Sequence, residues 1–165
     1  MMSLHPSAQL IQDELRRQGS TAEVRQLDQT TRSAHDAASA VGCQVGQIVK
    51  SLVFRGTESG AAILVLTSGA NRVDEAALGA RLGEPISRAE ADFVRQATGF
   101  AIGGVPPFGH PTPLKAYFDE DLLDYATVWA AAGTPNAVFE IEPAELQRLA
   151  RAEVVPVKAE APSAP

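Results

Sequence analysis

The segment QIVKSLVF, residues 47–54, constrains the fold more than any other stretch of the chain. Ile48, Val49, Leu52, Val53 and Phe54 favour a strand and burial. In an extended backbone Ile48, Lys50, Leu52 and Phe54 share one face, and Val49, Ser51, Val53 and Arg55 share the other. Both faces are largely apolar, which predicts a central strand covered on both sides. Lys50 then places an ammonium group inside a core strand. Three readings account for it: a stem that snorkels to water, a structural ion pair, or a functional cation at the floor of a cleft. Desolvating an ammonium is costly unless something rewards the charge, and a bound anion or polarised carbonyl is one such reward.

The flanking segments organise around this strand. Gly56 to Gly60 predicts a turn, and AAILVLTSG (61–69) a second, more apolar strand, so the two read as an antiparallel hairpin. Leu10, Ile11 and Leu15 mark a helix over 6–18 stopped by Gly19, and AEVRQLD (22–28) is a short strand. Ser33 with Asp36 opens a helix that Gly42 closes. Asp74 caps another that ends near Gly83. Ser87 with Glu90 reads as a capping box for the helix up to Gly99. Three short strands follow, LKAYFD, ATVWAAAG and AVFEIE, and Pro143 opens a last helix. Strands and helices do not alternate regularly. The pattern predicts an α+β domain with a mixed sheet over residues 1–151, followed by a poorly packed Pro/Ala-rich tail, 152–165.

The 165 residues suit one domain. A net charge of −6 argues against an extended nucleic-acid groove, though not against a partner docking only one end of a nucleic acid. No apolar run reaches membrane-span length, and the charged, amphipathic N-terminus does not read as a signal peptide; a cytoplasmic protein with no membrane partner is expected. The single cysteine, Cys43, allows no internal disulfide and reads as a small packed residue.

GGVPPFGH (103–110) is the second unusual stretch. Gly103 and Gly104 permit close backbone approach and Pro106 and Pro107 stiffen the exit, so the loop can present N–H and C=O groups to a ligand. Its spacing fits neither a dinucleotide fingerprint nor a P-loop. His110 follows the loop, either lining the same cleft or lying on the surface. His5 and His35 have no ligand spacing to Cys43, so no metal or other cofactor is expected.

Taken together, TTRSAHDAASAVGCQVGQIVKSLVF, ILVLTSGANRVDEAALGARLG, ATGFAIGGVPPFGH, FDEDLL and AAGTPNAVFEIEPAEL, in this order, resemble the YbaK/EbsC family, relatives of the editing domain of bacterial prolyl-tRNA synthetase. The resemblance implies a single compact α+β domain with a mixed, partly barrel-like sheet and surrounding helices. It implies aminoacyl-tRNA deacylase activity in trans, on the aminoacylated 3′-terminal adenosine of tRNA. The acidic balance then implies weak intrinsic tRNA affinity, with the acceptor end either gripped locally or delivered by a synthetase or elongation factor. The resemblance makes Lys50 the essential lysine, and Gly103, Gly104, Val105, Pro106 and Pro107 the loop that holds the aminoacyl end. Ser51 matches a small hydroxyl residue, and Gly133 and Thr134 fall in a second pocket loop; His110 completes the expected substrate-binding set. The chain has Ala131 and Val138 where cysteine-directed members carry a hydroxyl and a carboxylate, and AAGTPNAV lacks the histidine of alanine-directed members. A non-catalytic aminoacyl-adenosine or nucleotide-binding module, or a regulatory partner of a synthetase, is the alternative.

Overall fold

The computed structural model describes residues 3–28 and 33–159. The expected hairpin is present: β2 (Val49–Gly56) and β3 (Ala62–Ser68) pair antiparallel, from Val49 opposite Ser68 to Arg55 opposite Ala62. β3 also pairs in parallel with β5 (Lys115–Asp119). With β4 (Ile86–Arg88) and β8 (Glu153–Val155), they make a mixed five-stranded sheet of order β4-β2-β3-β5-β8. β1 (Val24–Gln26), β6 (Val128–Ala131) and β7 (Ala137–Ile141) form a second sheet, ordered β1-β7-β6. A parallel bridge from Ile48 to Trp129 joins the two sheets along one seam, so together they wrap partway towards a barrel.

Among the described residues five α-helices surround the sheets: α1 (Pro6–Arg17), α2 (Ala34–Val41), α3 (Glu75–Leu82), α4 (Ala91–Thr98) and α5 (Pro143–Ala150). The caps follow the side-chain chemistry: Ser33 accepts from the Asp36 N–H and Asp74 from the Ala77 N–H. Ala8, Ile11 and Leu15 of α1 are fully buried against Val49, Val53 and Phe139, while Leu10 is half exposed. On the opposite face of β2, Phe54 packs with Ile63, Val65, Leu78 and Tyr117. β2 is therefore covered on both sides, as its two apolar faces require.

Two local expectations fail. Ser87 does not cap α4; it sits in β4 opposite Arg55, and Glu90 takes the cap position without a side-chain bond. Strand pairing has outcompeted a capping motif at the same residues. The expected loose tail is also packed over 152–159, while its remainder, 160–165, lies outside the described residues. β8 pairs in parallel with β5, Val155 and Val157 are buried, and the Val157 carbonyl accepts from the Asp74 N–H. Val155 and Val157 occupy alternate positions facing α3, a period-two signal that proline and alanine content hid.

Candidate active site

The site forms where the two sheets part. β4 pairs with β2 only over Phe54 to Gly56, and β6 meets it only at Ile48. Between these points one edge of β2 is open. The Gly69 N–H donates to the Ile48 carbonyl, and this sets the antiparallel alternation. Lys50 and Leu52 direct their backbone groups to β3; Ser51 directs its N–H and C=O away from it, towards the open edge. A cleft of about 190 Å³ lies here. Lys50, Ser51, Gly103, Val105 and Thr134 line it, with apolar walls from α2, β6 and β7 that include Trp129, Ala131 and Val138.

Lys50 is partly buried, and its Nζ donates to the Asn71 carbonyl at 2.8 Å. Among the described residues no carboxylate lies within salt-bridge distance of it; the ion pair found is Arg17–Glu14, on α1. Burial holds its pKa below the ordinary lysine value, and the guanidinium groups of Arg88 and Arg72 push the same way, against a smaller upward pull from Asp119. Lys50 is thus a cation that lines the cleft and rests on a carbonyl, not one half of an ion pair. Beside it, the Ser51 hydroxyl oxygen is buried without a hydrogen-bond partner among the described residues. Leaving such a group unpaired costs about 1–3 kcal/mol. The residue that carries it lines the cleft.

Gly103 (φ +92°) and Val105 reach the cleft, but Gly104 between them acts differently. A Cβ on Gly104 would stand 2.8 Å from the Thr134 Cα and 2.9 Å from its carbonyl carbon. The bare backbone of one loop is thus seated on the backbone of the other. Gly133 (φ +96°) abuts Ser7 rather than the cleft: a Cβ there would lie 2.7 Å from the Ser7 carbonyl oxygen. Thr134 donates its hydroxyl to Asn136, whose amide donates to the Leu27 carbonyl, which ties the second loop to the chain just after β1. Pro106 and Pro107 are buried behind the loop, and Pro107 with His110 lines a separate hollow against α1 and α5.

His110 thus lies on the far side of its loop from Lys50. Its Nε2–H donates to the Pro106 carbonyl at 2.8 Å, and its ring meets Phe100 edge-on. Burial pushes its pKa below the usual 6.5, so it is held neutral. A buried neutral histidine binds fewer protons than its unfolded form as pH drops below 6.5, so it withdraws stability from there down to its own lower pKa. We expect His110→Ala to hydrolyse substrate near the wild-type rate, to lose about 1–3 kcal/mol of stability, and to flatten the acid decline. Urea unfolding on either side of the ordinary histidine value, together with the hydrolysis rate, checks this.

Sequence reasoning missed the polar support under Lys50. Asp119, fully buried at the end of β5, accepts from Thr67, Ser68, Asn71 and Asp121. It also missed the wall formed by α2 and Trp129. Thr30 to Arg32, where the resemblance begins, lie outside the described residues. No group of three His, Cys, Asp or Glu among the described residues could hold a metal. Cys43 is partly exposed, and burial followed by Glu140 raises its thiol pKa, so it is no ready nucleophile. No described helix is long and apolar enough to cross a membrane.

An ammonium without a carboxylate partner, an unpartnered hydroxyl and the bare backbone of Gly103 make a site that can orient a ligand and stabilise negative charge, with no nucleophile–base pair among the described residues. Residues 28–149 match the aminoacyl-tRNA editing domain, and the chain belongs to that family. It is 30% identical over 132 residues to YwhH of Bacillus subtilis, covering 80% of this chain and 83% of that protein. It is 26% identical over 112 residues to EbsC of Enterococcus faecalis, a candidate Cys-tRNA(Pro)/Cys-tRNA(Cys) deacylase, covering 67% and 68% of the two chains. A solved structure of a candidate trans-editing enzyme for prolyl tRNA synthetase superposes with a TM-score of 0.90 at 52% identity, covering 96% of this chain and 100% of that one.

Proposed function

We propose that the protein is an aminoacyl-tRNA deacylase that acts in trans, hydrolysing the ester of a mischarged tRNA with the terminal adenosine and its aminoacyl group held in the cleft. The observation that carries this reading is the Lys50 ammonium, desolvated and without a carboxylate partner, facing a cleft bounded by bare loop backbone. Membership of the editing-domain family and the names of its relatives support it.

The chemistry asks little more of the protein. An aminoacyl ester is already activated, so the site must orient the carbonyl, admit water or a substrate hydroxyl, and stabilise the oxyanion. Lys50 supplies the point charge, to the oxyanion or to the terminal phosphate. It does not attack the ester itself, since aminolysis would leave a stable amide on the lysine. Ser51 and the backbone of Gly103 and Val105 orient the aminoacyl end, with Thr134 at the opposite wall. Gly104, Pro106, Pro107 and Gly133 set the loops, and His110 clasps one of them from behind. In an acidic chain, selectivity for the tRNA body rests on a local grip of the acceptor end, or on a synthetase or elongation factor that delivers it.

The cleft favours a small amino acid. Its two loops, Gly103 to Pro107 and Ala131 to Asn136, carry few long side chains, and Ala131 and Val138 make its wall apolar, which separates it from the cysteine-directed pattern. An apolar pocket excludes bulk by clash, but a single methylene is worth only about 1–3 kcal/mol. We expect overlapping activity on seryl-, threonyl- and alanyl-tRNAs and little on phenylalanyl- or tyrosyl-tRNA. A deacylation panel over mischarged tRNAs tests both claims: no hydrolysis of any ester would leave a binding module, and preferential clearance of the aromatic esters would overturn the small pocket.

A further inference from the structure

Lys50 does not reach the cleft floor unaided, and the groups that hold it form one buried network. Its Nζ donates to the backbone carbonyl of Asn71, in the turn after β3. The Asn71 side chain donates to Asp119 Oδ2 at 2.9 Å and to Asp121 Oδ2 at 2.8 Å. Asp119 Oδ2 also accepts the Thr67 hydroxyl and the Ser68 N–H, both at 3.0 Å. Thr67 is the residue directly across the hairpin from Lys50.

We propose that Asp119 is the positioning residue for Lys50: it fixes the segment from Thr67 to Asn71 so that the Asn71 carbonyl holds the ammonium at the cleft. Asp119 receives four donors and meets no acceptor, the complement of an ionised carboxylate. Capping the short 3-10 helix that follows β5 uses only Oδ1, which accepts from the Asp121 N–H. The other oxygen is spent wholly on the segment that carries the Asn71 carbonyl. A fully buried charge is costly, and a capping role alone would not require it to gather two donors from the neighbouring strand and a third from the turn after it. The proposal rests on the reading of Lys50 as the working cation. Arg88 from β4 and Arg72 from the turn beside Asn71 both disfavour its charged form, and Asp119 is the group that favours it.

The test combines hydrolysis with a direct titration. Lys50, Lys115 and Lys158 are the only lysines, so ¹³C-labelled lysine resolves each by NMR in the free protein. Asp119→Asn should lower the single-turnover rate about 10- to 100-fold. It should also move the Lys50 titration, and the alkaline limb of the pH–rate profile, to lower pH. Asn71→Ala keeps the Asp119 charge and should lose rate about tenfold with a smaller displacement. A folded Asp119→Asn with wild-type rate and an unmoved Lys50 titration overturns the proposal. Should that variant not fold, a wild-type rate and titration in Asn71→Ala overturn it instead. If Lys50→Ala hydrolyses normally, the reading of Lys50 fails separately, and the titration still decides whether Asp119 sets the state of that lysine.

Discussion

Lys50→Ala should abolish hydrolysis while leaving a folded protein. Among the described residues the ammonium is the one positive group lining the cleft, and it meets a carbonyl rather than a carboxylate. Removing a preorganised group that stabilises an oxyanion costs about 10²–10³-fold in rate. Positioning of the substrate is lost with it, so the total effect should reach the larger end. Stability should change little. The variant loses one charge-assisted hydrogen bond, but it also sheds a desolvated cation pressed by Arg72 and Arg88, and the Asn71 carbonyl can turn to water entering the cleft. The net effect should stay within about 1 kcal/mol. Single-turnover hydrolysis and thermal melting measured together check this. A folded variant with wild-type activity would remove Lys50 from the mechanism. A collapse in melting temperature would mark the lysine as structural.

The residues that were legible in the sequence are those whose role is local. Two apolar runs on either side of the Gly56 to Gly60 turn marked the hairpin of β2 and β3. Ser33, Asp74 and Pro143 announced their helices by cap chemistry. Lys50 stood out because it broke an apolar run, and Gly103 because a glycine pair preceded two prolines. Pairing at a distance was not legible. Asp119 sits 52 residues from Thr67, and nothing in FDEDLL tells a buried acceptor from an ordinary strand-end carboxylate. His110 lies close in sequence to the cleft loop yet lines a separate hollow, folded back on the Pro106 carbonyl. The isolation of the Ser51 hydroxyl depends on what other segments bring beside it, which β2 alone does not encode.

Gly104→Ala should cost both activity and stability, by a route the sequence did not suggest. The glycine pair in GGVPP invites the idea that an added methyl would fill space meant for the aminoacyl end. The methyl would instead strike the Thr134 backbone, with its Cα, carbonyl carbon and nitrogen 2.8, 2.9 and 3.0 Å away. Backbone cannot rotate aside as a flexible side chain can, so the two cleft loops must part. Overpacking of this kind costs about 1–3 kcal/mol. A displacement of about 1 Å at residues that orient a substrate costs about 10²-fold in rate, here felt at Gly103, Val105 and Thr134 together. Gly19→Ala is the matching control. Gly19 has φ +83° and open space around it, so alanine there should suffer backbone strain of about 1–2 kcal/mol away from the cleft. Comparable losses of melting temperature in the two variants, with hydrolysis lost only in Gly104→Ala, would tie activity to the seating of one loop on the other. Equal hydrolysis in both would mean that the cleft tolerates its loops moving apart, and that Lys50 and Ser51 alone orient the substrate.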